Sequence, residues 1–137
     1  SKEIILKVSE PMMNLTMKGY NINDNEMFTL YFSKKLKNVF ESDQKFKKSL
    51  IKLKKNVGNF EKRFVKSIKK NKKYILVQYK GSFKKESGVD IILRLVAHTD
   101  KKVRIAGLTF ISSEVPLLLS EKVNKKTKPK KLAKKVR

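Results

Sequence analysis

The stretch Ser42-Asp43-Gln44-Lys45-Phe46-Lys47-Lys48-Ser49-Leu50-Ile51-Lys52-Leu53-Lys54-Lys55-Asn56-Val57-Gly58 decides the fold class, because a helix begins and ends within it and the chain beyond has a different period. Ser42 or Asp43 supplies a side-chain oxygen for the first free N–H groups, and Gly58 gives the chain a residue suited to leaving the helix. At about 100° per residue, Phe46, Leu50, Leu53 and Val57 fall in one apolar quadrant, while Lys45, Lys48, Lys52 and Lys55 gather on nearly the opposite side. The pattern predicts a helix over 43–57 with one face for a core and one for an anionic partner or for water.

After Gly58 the period shortens to two, with β-branched and aromatic residues between short polar breaks. Strands are expected over 59–68, 74–83, 89–98 and 103–111. The breaks between them suit hairpins, which makes the sheet an antiparallel meander. In the third strand Val89, Ile91, Leu93, Leu95 and Ala97 share the face expected to meet the core.

Upstream, Ile5, Val8, Met12 and Leu15 recur at spacings of three and four, predicting a helix that ends at Gly19 and is kinked or split by Pro11. Asn23 or Asp24 should cap a short helix through Phe32, with Met27, Leu30 and Tyr31 on its apolar side. Ser33 restarts the chain toward Leu36, Val39 and Phe40. Downstream, the pattern dissolves after Ser113 into Val115-Pro116-Leu117-Leu118-Leu119, and 121–137 carries nine basic residues against one acid. Such a segment has too little apolar surface to offset the entropy of ordering it without a partner. The expected fold is α+β, with N-terminal helices packed against a curved four-stranded meander in a domain over 1–112, followed by a basic extension over 113–137.

Thirty-five Lys and Arg stand against twelve Asp and Glu in 137 residues, a formal net charge of +23. A compact body with that charge repels itself, so its natural partner is a polyanion. The excess is not confined to the end of the chain. Residues 34–73 hold sixteen basic side chains against Glu41, Asp43 and Glu61.

The sequence offers little chemistry beyond charge. Without cysteine there are no disulfides and no thiolate zinc sites, which suits a reducing compartment, and the single histidine, His98, has no neighbours at metal-ligand spacing. His98 beside Asp100 reads as an exposed turn pair, and Tyr20, Tyr31, Tyr74 and Tyr79 read as core. Glycines 19, 58, 81, 88 and 107 are isolated, so no phosphate-cradling loop exists, and no carboxylate pair sits in apolar sequence that would raise one pKa. No run approaches the roughly 18 apolar residues of a membrane helix. These features point to a binding protein with no catalytic residues, metal or cofactor, expected in the cytoplasm because no secretory h-region opens the sequence.

Helices first, then Gly58 before the first strand, then a meander whose last strand reads Arg104-Ile105-Ala106-Gly107-Leu108-Thr109-Phe110, resembles the nuclear transport factor two-like superfamily, the cystatin-like cone. The resemblance covers about residues 4–111, including Leu36, Phe46 and Leu50 of the middle helices and Gly107-Leu108. It implies a cone whose sheet wraps around helices, often with a pocket at the wide end and sometimes with dimerisation through the sheet. No catalytic role of that superfamily maps onto these residues.

The segment from Lys125 to Arg137 resembles the extended basic tails of ribosomal proteins. The expected function is RNA binding as a ribosomal or ribosome-associated structural component, with neighbouring ribosomal proteins as further partners. The residues expected to carry it are Lys45, Lys48, Lys52 and Lys55 of the helix, Lys62 and Arg63 of the first strand, and Lys125, Lys126, Lys128, Lys130, Lys131, Lys134, Lys135 and Arg137 of the tail. Phe60, Phe64 and Tyr74 alternate with lysines and are candidates for stacking on unpaired bases. Lysine greatly outnumbers arginine, so recognition should run through charge and shape more than bidentate base reading. A secreted or surface-attached cone domain that binds a small ligand or anionic polymer, and a duplex-DNA compacting protein, are the alternatives the charge leaves open.

Overall fold

The computed structural model describes residues 2–97, 102–113 and 116–121. Four helices, α1 (Lys2–Ile22), α2 (Asn25–Phe28), α3 (Lys34–Ser42) and α4 (Gln44–Val57), precede five strands: β1 (Phe60–Lys70), β2 (Ile75–Phe83), β3 (Val89–Ala97), β4 (Val103–Ile111) and β5 (Pro116–Ser120). The strands form one open antiparallel sheet in sequential order β1-β2-β3-β4-β5. The α+β architecture and the meander follow the sequence reading. The number of strands does not.

The fifth strand arises from the stretch that lacked a pattern. Leu117 and Leu119 are buried while Pro116 and Leu118 are exposed, a period of two over five residues, and Gly107 to Ile111 of β4 pair with Ser120 to Pro116. Where β5 ends, the edge of β4 is covered by the link between α2 and α3. Ser33 donates its N–H to the Ile105 carbonyl at 2.8 Å, and Ile105 donates to the Tyr31 carbonyl at 2.8 Å. The Ser33 hydroxyl also bonds the carboxylate of Glu121, tying the end of β5 to the start of α3.

One face of the sheet carries Val77, Tyr79, Phe83, Val89, Ile91, Leu93, Leu95, Ile105, Leu108, Phe110, Leu117 and Leu119, all buried against the helices. The predicted inner face of β3 is correct except at Ala97, which is exposed. From the helical side, Met12, Met13, Met17 and Tyr20 of α1, Phe28 of α2, Leu36 and Phe40 of α3, and Leu53 and Val57 of α4 complete the core. Leu50 and Phe46 pack against it while half-buried.

α1 is not split at Pro11: it runs through that residue, whose ring lies on the exposed side, and it differs from its predicted form in two further ways. Its buried face is Ile5, Ser9, Met12, Met13, Thr16, Met17 and Tyr20, so Val8 is turned outward. It ends at Ile22, not Gly19. The terminating residue is Asn23, at φ 60°, and the Asp24 N–H reaches back to the Gly19 carbonyl at 2.9 Å, the hydrogen bond of a Schellman ending. Gly19 serves another purpose: a Cβ there would stand 2.8 Å from the Phe28 Cα, so its missing side chain lets α2 pack directly on α1. α2 is correspondingly short, a single turn capped by the Asp24 carboxylate, and it buries Phe28 while Leu30 remains exposed.

α4 forms as its sequence predicts. The Asp43 carboxylate accepts from the Lys45 N–H at 2.9 Å, and Gly58 leaves the helix at φ 82°, ψ −166°. That is a backbone region open essentially to glycine alone.

Candidate nucleic-acid interface

α4 contains no acid, and its four predicted contact lysines, Lys45, Lys48, Lys52 and Lys55, are all exposed along one side. From Lys45 to Lys55 the stripe spans about 15 Å at 1.5 Å per residue. The ion pairs seen among the described residues, Arg63 with Glu10 at 2.6 Å and Lys80 with Asp90 at 2.8 Å, lie elsewhere. Asp90 is held below the usual carboxylate range, chiefly by the hydrogen bond from Lys80. Glu61 is the nearest acid in sequence after the helix and is exposed on β1.

What holds this cationic helix in place is a set of bonds to the end of α1. Lys54 Nζ donates to the Tyr20 carbonyl at 3.1 Å, the Asn21 carbonyl at 2.7 Å and Asn23 Oδ1 at 2.9 Å. A cation there meets the negative end of the α1 dipole and satisfies carbonyls that the helix leaves unpaired. The Tyr20 hydroxyl donates to the Gly58 carbonyl at 2.9 Å, and burial pushes its pKa well above the ordinary tyrosine value. The Asn21 side chain pairs with both backbone groups of Phe60, accepting at 2.7 Å and donating at 2.9 Å. Lysine 54 therefore works inside the fold although its neighbours Lys52 and Lys55 face outward. Its angular place, about 100° away from Lys55 toward the apolar side, was the signal in the sequence.

The two β1 residues of the predicted surface separate. Lys62 is exposed on the sheet face away from the helices, opposite Ser82. Arg63 is not on that surface: its side chain is 8% exposed, bonded to Glu10 Oε1 at 2.6 Å and Asn14 Oδ1 at 2.9 Å, with its guanidinium 5.3 Å from the Tyr79 ring centre. Irregular pairing between Phe60 and Lys62 shifts the alternation, which places both Phe60 and Arg63 on the inner face despite their odd spacing. The tail residues Lys125, Lys126, Lys128, Lys130, Lys131, Lys134, Lys135 and Arg137, and the pair His98 and Asp100, lie outside the described residues.

The other described arginines are also directed at protein groups. Arg94 bonds the Ala106 carbonyl at 3.2 Å and Ser120 Oγ at 2.7 Å and stacks 5.3 Å from Tyr74, while Arg104 bonds the Val103 carbonyl at 3.4 Å. Lysine is thus the surface cation. Of the aromatic candidates, Phe60 packs against the core, Tyr74 is covered by Arg94, and Phe64 alone stands open, 66% exposed on the outer face of β1 with exposed Lys62 and Lys66 on either side.

Sequence reasoning missed a concavity beside the lysine stripe. The end of α1, α2, the end of α3 and α4 enclose an open pocket of about 500 Å³, with Gly19, Tyr20, Phe28, Phe40 and Leu50 as its apolar lining and Asn23, Asn25, Gln44, Lys47, Lys48 and Lys54 supplying polar groups. Lys47 Nζ lies 5.8 Å from the centre of the Phe40 ring, and Ile51, 69% exposed, stands at the mouth.

Comparison with known proteins finds no matching family model, curated protein or solved structure. No helix among the described residues is long and apolar enough to cross a membrane.

Proposed function

We propose that this protein binds RNA through phosphate contacts, as a structural component of a ribonucleoprotein particle, with the ribosome as the first particle to examine. The observation that carries the reading is α4: four exposed lysines on one side of a helix without an acid, none of them drawn into the ion pairs described above. A lysine face used only for solubility gains from interspersed acids, which lower the self-repulsion, and here they are missing.

Two further features favour charge and shape over base sequence as the basis of recognition. Arg63, Arg94 and Arg104, the described side chains with the bidentate geometry for guanine, are engaged by the protein itself. The lysine-rich segment after Glu121 adds charge to the same chain, of a kind that threads between phosphates.

The test is sedimentation of a cell lysate through a salt-containing gradient, with and without ribonuclease. Migration with ribosomal subunits that collapses to the top of the gradient after ribonuclease is the expected result. Migration with chromatin, or as a free protein before any ribonuclease, would refute the reading.

A further inference from the structure

We propose that the pocket between the end of α1, α2 and α4 receives an unpaired base of the RNA whose phosphates lie on the α4 lysines. This rests on the RNA-binding reading and assigns a single-stranded nucleotide as its ligand.

The geometry of α4 joins the two sites. Around the helix, Ile51 falls between the lysine stripe and the pocket-facing residues Lys47, Leu50 and Lys54, and Lys48 belongs to both the stripe and the pocket lining. Lys48 and Ile51 are three residues apart, less than one turn of about 5.4 Å. A strand held at Lys48 and Lys52 therefore passes the mouth at Ile51 with its bases free to turn inward, whereas a continuous duplex keeps its bases stacked and paired and cannot fill a concavity of this kind.

The lining suits a base better than other anionic ligands. Its floor is apolar, which matches a flat π-face, and its volume of about 500 Å³ lies within the range of small-ligand pockets. Lys47, Lys48 and Lys54 are the charged lining residues, so the field is positive and selects a ligand that carries phosphate. Asn25 and Gln44 bring amide groups that both donate and accept, which a base edge uses and a hydrocarbon chain does not. Ile51, 69% open to water amid Lys47, Lys48, Lys52, Lys54 and Lys55, is one of several exposed large apolar side chains, and as a lining residue of the pocket it offers a base an apolar contact.

The experiment measures, on the full chain, the affinity for a fluorescein-labelled single-stranded RNA 12-mer and for the same strand in a blunt duplex, at matched salt. Ile51→Gln leaves the net charge unchanged and, at so exposed a position, the fold intact, which an unchanged melting temperature verifies. The expected result is a loss of about three- to tenfold on the single strand, in keeping with the removal of part of one base contact, and no change on the duplex. Lys45→Gln with Lys52→Gln should weaken both. Equal effects of Ile51→Gln on the two RNAs, or none on either, would overturn the pocket proposal while the lysine stripe stood. Salt-independent or absent binding of both RNAs would overturn the RNA reading and the pocket proposal together. Saturable binding of dodecanoate that RNA does not displace would assign the pocket to an anionic amphiphile instead.

Discussion

Changing Lys45, Lys48, Lys52 and Lys55 together to Gln tests the interface most directly. The four side chains are exposed and stand apart from the ion pairs described, so each is available to displace a counterion from a phosphate. Lys47 and Lys54 are left in place because one lies against Phe40 and the other caps α1. At roughly 0.7 to 0.9 per phosphate contact, four contacts contribute about 3 to 4 to the slope of log affinity against log salt. The variant should therefore bind with a slope shallower by that amount, and its disadvantage should be largest at low salt. Over a fourfold rise in salt the native chain should lose roughly a hundredfold more affinity than the variant. Fluorescence anisotropy with one RNA across a salt series gives both slopes. Gln keeps the helix propensity and length of Lys, and removing four like charges relieves repulsion, so the melting temperature should hold or rise. An unchanged slope with an intact fold would make the stripe a solvated face and refute the argument from missing acids.

Leu93→Ala should destabilise the protein by about 2 to 5 kcal/mol in chemical denaturation, because Leu93 is fully buried at the centre of the sheet, whereas Lys52→Ala should cost no more than about 0.5 kcal/mol. Gly58→Ala should cost about 1 to 3 kcal/mol, since its backbone conformation strains any residue with a Cβ and the added atom would sit 3.1 Å from Lys84 Cβ. Burial raises the Tyr79 pKa from 10.0 to about 12, so folding favours the protonated phenol; its stabilising contribution is full below pH 10 and is lost as the pH climbs to 12. Tyr79→Phe should flatten the alkaline fall in the denaturation midpoint, and an identical fall in both proteins would rule that linkage out. A chain ending at Glu121 should remain folded and bind RNA more weakly at low salt, while a chain ending at Ser113 should lose stability because Leu117 and Leu119 go with it; equal melting temperatures for the two truncations would deny β5 its place in the core.

How much could be read from the sequence follows the range of the interactions involved. α4 was legible end to end because its signals are local: a cap one residue before it, an apolar spacing of three and four, and a glycine whose unusual backbone angles are needed at that one position. β2 and β3 were legible because alternation runs through most of each, and β4 because its β-branched and aromatic residues lie between polar breaks, although Ile105, Ala106, Gly107 and Leu108 are all buried in a row. Gly19 misled because its reason is tertiary. The same missing side chain that would suit a helix end there permits the close approach of α2, and nothing within α1 distinguishes the two uses. β5 was lost in a run of leucines, where the exposed Leu118 hides the alternation that pairing with β4 imposes. The pocket was illegible for a similar reason, since its walls come from four helices and only α4 announced a functional side.

Arg63 and Lys54 show how the same reasoning applies to charge. In a chain this basic, each cation looks interchangeable, yet these two are structural. Arg63 is carried inward by the irregular start of β1 and paired there with Glu10, and Lys54 lies on the border of the α4 apolar face where the α1 carbonyls need a donor. Both sit where a cation can reach unpaired acceptors inside the fold, and the cost of burying it is met by three hydrogen bonds or an ion pair. Lys45, Lys48, Lys52 and Lys55 have no carboxylate to pair with on α4 itself, because the helix carries no acid. Their like charges sit one turn apart, an arrangement that costs a few tenths of a kcal/mol per pair in an isolated helix. The fold holds α4 through the Asp43 cap at its start and the Lys54 and Tyr20 bonds at its end, so that the four lysines are presented together on one side of the helix despite their repulsion.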